Sequence, residues 1–146
     1  MYTNTNREQL FPWRPLAAAL GIMFFVTGVT LAADIKVTLS GDQEVPPVKT
    51  EASGSGTITI NADKTVSGGV TTKGIDGTAA HIHEAPAGKN GGVIVPLSKG
   101  GDGKWNVGAG AKLTDAQYAA FQKGDLYVNV HSAKNPDGEI RGQLKP

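Results

Sequence analysis

From Asp34 onward, short apolar stretches alternate with polar residues and are broken by Gly, Asn, Asp and Pro at intervals of about 8–12 residues, the rhythm of a sandwich or barrel. The pattern predicts strands over 35–39, 56–62, 65–72, 78–83, 92–97, 104–107, 126–132 and 139–144. Ile35/Val37/Leu39, Ile58/Ile60, Leu126/Val128/Val130 and Ile140/Leu144 each recur at period two, so each strand offers one apolar face to a shared interior. The expected fold is all-β: a two-sheet antiparallel β-sandwich of about eight strands with one short connecting helix. Asn61-Ala62-Asp63-Lys64 reads as a tight turn, and Asn135-Pro136-Asp137-Gly138 places Pro and Gly at the second and fourth positions of a type I turn. For the helix, Thr114 and Gln117 form a capping box, Leu113 and Tyr118 a hydrophobic staple, and Gly124 the C-terminal stop.

The first 33 residues follow a different pattern. A polar start with Arg7 and Arg14 leads into an uncharged run of 18 residues, Leu16 to Ala33, which ends in small residues before Asp34. This reads as a secretory signal peptide over 1–33, with an uncleaved anchor as the alternative because the run sits at the lower edge of the roughly 17–25 residues that span a bilayer. Residues 34–146 then form one periplasmic or secreted domain. Removing Arg7, Arg14 and Glu8 leaves 12 residues of each charge sign, too balanced for nucleic-acid binding, and restricts membrane contact to an uncleaved leader. The chain has no Cys, so any metal must be held by nitrogen and oxygen.

Only three histidines occur. His81 and His83 flank Ile82 inside a predicted strand, so both imidazoles leave one face and Ile82 the other. In LYVNVHS, Val128 and Val130 take the core side, which puts Tyr127, Asn129 and His131 opposite. If the two strands are neighbours, three ring nitrogens converge on one ion at bonds of about 2.0–2.1 Å. Three imidazoles without thiolate suit Cu(II) or Zn(II); the affinity order of divalent metals favours a copper ion, with zinc as the alternative. Water, or a carboxylate such as Glu84 or Glu139, would fill a fourth position, and Glu139 could instead hold an imidazole N–H. The plainer reading makes HIH an outward strand face and His131 a separate residue.

Other residues carry less. Glu44, in the segment GDQEVPP, is expected to be a loop carboxylate accepting backbone hydrogen bonds rather than a ligand. No G-x-S-x-G opens a helix, which excludes a serine hydrolase. Asp137 and Glu139 flank a turn and are read as turn caps, not an acid pair. GKNGG (88–92) and GGDG (100–103) lack the Lys-Ser/Thr and helix of a phosphate cradle. Trp105, Tyr118 and Phe121 are read as packing. Arg141 is the only Arg beyond residue 33 and is expected to face away from Ile140 and pair with a neighbouring acid.

LSGDQEVPPV, TAAHIHEAPAGKNGGVIVPL and GDLYVNVHSAKNPDGEIRGQL resemble the three signature blocks of the CHRD (chordin) domain family, over nearly the whole chain after the leader. The resemblance implies a small β-sandwich with His81, His83 and His131 on the family's motif histidines. In animals the domain belongs to an extracellular antagonist of morphogen signalling whose Cys-rich modules this chain lacks, and many exported bacterial proteins carry it; the family name states a domain, not an activity. A weaker similarity is to copper–zinc superoxide dismutase, which also presents an H-x-H strand pair and a later strand histidine to copper. This chain departs from it in lacking a Cys pair, a bridging histidine and a fourth copper imidazole. The expected function is transition-metal binding by a protein that is not a conventional enzyme. A metal-free module contacting another exported protein stands second, and a copper-dependent redox enzyme third.

Overall fold

Period-two apolar residues make strands because alternate side chains leave opposite faces of an extended backbone. The computed structural model describes residues 32–146 together with residue 1. The predicted signal segment therefore lies almost wholly outside the described residues. The elements run β1 (Ala33–Ser40), a 3-10 turn (Gly41–Gln43), β2 (Ser53–Ile60), β3 (Val66–Lys73), β4 (Gly77–Glu84), β5 (Gly92–Lys99), β6 (Lys104–Val107), α1 (Asp115–Gln122), β7 (Leu126–Ser132) and β8 (Ile140–Leu144).

The strands are antiparallel and follow the order β1-β2-β3-β6-β5-β4-β7-β8, closing into a barrel rather than the expected two-sheet sandwich. Closure comes from β8, which pairs along β7 and meets β1 at Ser40–Arg141. Alternation fixes which residues face inward but is identical for two stacked sheets and one closed sheet, so the pattern could not separate them. The interior is filled by Ile35, Val37 and Leu39 of β1, Ile58 and Ile60 of β2, Ile82 of β4, Leu126, Val128 and Val130 of β7, and Ile140 and Leu144 of β8, all buried.

The helix begins with the expected capping box: Thr114 Oγ1 accepts from the Gln117 N–H, and Gln117 Oε1 from the Thr114 N–H. It ends in a Schellman motif, the Gly124 N–H donating to Phe121 O and the Asp125 N–H to Ala120 O, with Gly124 at φ +78°. Phe121 from its buried face joins the core.

The outer face of β4, β7 and β8 departs from a simple inside-outside pattern. Tyr127 and Asn129 point away from the core residues of β7, yet both are buried. Two loops cover them. Residues 41–48 are folded back by the Glu44 and Val48 N–H groups, which both donate to Gly41 O, and residues 85–91 are tied down when Asn90 Nδ2 donates to Val45 O.

Candidate metal centre

Backbone register assembles the three histidines. On β4 and β7, His81 pairs with Asn129, His83 with Tyr127 and Ala79 with His131, so the three imidazoles share one outward face of adjacent strands. Their ring centroids are 5.0, 5.6 and 5.9 Å apart, and one donor nitrogen from each lies within 4.8 Å of the other two. His81 Nδ1 stands 3.1 Å from His131 Nε2. Two imidazole nitrogens sharing an ion at 2.0–2.1 Å per bond stand roughly 2.8–4.2 Å apart, depending on the angle, so the cluster is near the dimensions of a metal site.

Backbone carbonyls select the tautomers. His83 Nδ1 lies 3.0 Å from Gly91 O and His131 Nδ1 lies 2.8 Å from Pro136 O. A carbonyl only accepts, so each Nδ1 carries the proton and each neutral ring keeps its lone pair on Nε2. With His131 neutral, its Nε2 accepts from His81 Nδ1–H, and an ion held by both of these nitrogens would require the His81 proton to sit on Nε2 instead. His83 Nε2 is buried and finds no partner among the described residues. A buried polar atom left unpaired costs about 1–3 kcal/mol. An imidazole anchored through its N–H to a carbonyl, with its other nitrogen left bare, is the arrangement that orients a metal ligand.

Electrostatics favours neutral rings at His81 and His83. Burial lowers the pKa of both below the ordinary 6.5, and neighbouring histidine charge lowers them further. At His83 the Gly91 carbonyl acts in the opposite direction, while Arg141 adds to the lowering.

The surroundings of the cluster are polar and buried. The Tyr127 ring stacks on His83, centroids 4.8 Å apart, and the Arg141 guanidinium lies 3.4 Å from the Tyr127 centroid. Arg141 is 1% exposed and donates to the carbonyls of Lys89 and Pro86 and to Gln143 Oε1. The expected partner acid is thus replaced by loop carbonyls, because residues 85–91 fold over β8. Asn129 Nδ2 donates to Glu44 Oε1 at 2.6 Å, and Asn129 Oδ1 is buried with no partner among the described residues. Burial raises the Glu44 pKa to about 7 against the opposing effects of Arg141 and the Val45 N–H.

The carboxylates suggested as further ligands are not gathered with the histidines. Glu84 continues the β4 alternation away from the histidine face and is exposed at the strand end. Glu139 is buried and accepts from Thr50 Oγ1 at 2.6 Å and from Ser132 Oγ. Burial pushes its pKa upward, but hydrogen bonds from Ser132, Thr50 and Asn135 outweigh that and hold the carboxyl low. Glu139 therefore braces the turn before β8. Glu44, read from sequence as an ordinary loop carboxylate, is 5% exposed and grips Asn129. The only signal for Asn129 was its shared facing with His131, two residues away.

A family model described as CHRD domain matches residues 35–144. No curated protein and no solved structure matches the chain.

Proposed function

The chain belongs to the CHRD-domain family, and on that premise we propose that it is an exported protein that binds one transition-metal ion, copper first and zinc second, through His81, His83 and His131. One observation carries the reading: three imidazole nitrogens lie within 4.8 Å of one another, two of their rings being held by carbonyls and His83 Nε2 being buried without a partner. All three donors are nitrogen and the chain offers no thiolate, a set that suits Cu(II) most strongly in the affinity order. Export rests on the leader-like composition of residues 1–33.

The test is a titration of metal-stripped protein with Cu(II) and with Zn(II). Uptake of one ion per chain that is lost in His83→Ala and in His131→Ala supports the reading. Weak uptake unchanged in both variants removes it.

A further inference from the structure

A metal held by three imidazoles has a fourth position to fill, and the side chain best placed to govern it is an amide. Asn129 is 2% exposed and occupies the middle of the histidine face: His81 lies directly across the β4–β7 pair, His131 is two residues along the same strand, and the neighbouring pair is His83–Tyr127. Its Nδ2 is committed to Glu44 Oε1 at 2.6 Å. Its Oδ1 is a buried acceptor with no donor among the described residues.

The β8 side offers no donor to this oxygen. Arg141 pairs with Asn129 in the β7–β8 register, but Arg141 Nη1 and Nη2 donate to Lys89 O, Pro86 O, Asn90 Oδ1 and Gln143 Oε1. Across the strand pair, β4 carries His81 opposite Asn129 and His83 one pair along, and His83 Nε2 is likewise buried without a partner among the described residues. Two buried lone pairs on one face need a cation and a donor between them, and a hydrated metal ion supplies both. Neither Glu84 nor Glu139 stands in the cluster to take the fourth position itself.

Building on the metal-binding reading, we propose that Asn129 Oδ1 accepts a hydrogen bond from a water molecule that is the fourth ligand of the histidine-bound ion. Asn129 is then a positioning residue for a solvent ligand, and Glu44 sets which end of the amide faces the metal. Gly138 fits this arrangement, since a Cβ there would stand 2.3 Å from Asn129 Nδ2 and 2.7 Å from Glu44 Oε1. The space that keeps the amide and carboxylate together is reserved by a glycine.

The experiment uses the full chain loaded with Cu(II) at pH 8, where the Glu44 carboxylate accepts only. Electron–nuclear double resonance in H2O and D2O should show strongly coupled exchangeable protons in the unaltered protein; their absence overturns the proposal without the need for a variant. Asn129→Leu should lower copper affinity by about tenfold, as expected for loss of an outer partner. It should also tighten azide binding about fivefold, because azide no longer has to break the hydrogen bond that anchors the water. Unchanged proton couplings and unchanged azide affinity in Asn129→Leu would overturn the proposal while leaving three-histidine binding intact. Failure of the unaltered protein to take up copper would instead remove the reading on which the proposal rests.

Discussion

The rings of His83 and Tyr127 lie face to face, with centroids 4.8 Å apart and planes 8° from parallel. Arg141 caps the other face of Tyr127 at 3.4 Å, so a candidate ligand, a phenol and a buried cation form one stack. Packing therefore fixes the His83 ring from its face, while the Gly91 carbonyl fixes it through Nδ1. Tyr127→Leu should weaken copper binding by about tenfold by loosening His83. Tyr127→Phe should keep that affinity and cost about 1 kcal/mol of stability, since only the hydroxyl accepting from the Gly91 N–H is lost. Copper titration paired with urea unfolding of the two variants checks both outcomes.

Glu44 links stability to pH. Its folded pKa of about 7 lies above the ordinary 4.5, so between these values the folded chain holds a proton that the unfolded chain has released. Its contribution is fully present below pH 4.5 and is lost as pH rises through 7. The shift corresponds to about 3 kcal/mol at full ionisation. Glu44→Gln keeps an acceptor for Asn129 but cannot ionise. Relative to the unaltered protein it should therefore be nearly neutral at pH 4 and more stable at pH 8, by an amount on the order of 1–3 kcal/mol. Denaturant unfolding at both pH values measures the difference, and a difference that does not change with pH would contradict the assignment.

Metal affinity should follow the histidines. Ligating imidazoles must be neutral, and burial holds the pKa values of His81 and His83 below 6.5. Proton competition at these two ligands should therefore set in below pH 6.5, later on acidification than at ordinary histidines. Copper titrations across pH 4–8 should show affinity falling toward the acid end, from a point below pH 6.5. Affinity that does not fall anywhere between pH 8 and pH 4 would contradict ligation by imidazole.

Gly138 is held at φ +135°, and a side chain there would meet the Asn129 amide and the Glu44 carboxylate. Gly138→Ala should cost about 2–4 kcal/mol in urea unfolding, from backbone strain and crowding combined. A Gly138→Ala protein of unaltered stability would show that the space between these groups is not tightly filled.

Strand positions, the helix with its caps and the shared facing of the histidines were legible in the sequence because they follow from local periodicity and turn chemistry. Ile35/Val37/Leu39 and Leu126/Val128/Val130 announced their inward faces, and Thr114, Gln117 and Gly124 announced the ends of the helix. Barrel closure was not legible, because it depends on Ser40 meeting Arg141 across the chain. The burial of Tyr127, Asn129 and Arg141 was hidden for a related reason. Their cover comes from loops 41–48 and 85–91, whose course is set by long-range hydrogen bonds such as Asn90 Nδ2 to Val45 O. Glu44 looked like any loop carboxylate until the fold placed it against Asn129.

The most direct test of the central claim is a crystal of the protein soaked in Cu(II), with anomalous difference maps recorded at the copper edge. The account predicts one strong peak bonded at about 2.0–2.1 Å to a nitrogen from each of His81, His83 and His131. A fully occupied copper bound elsewhere, or no ordered copper between these rings, would contradict it.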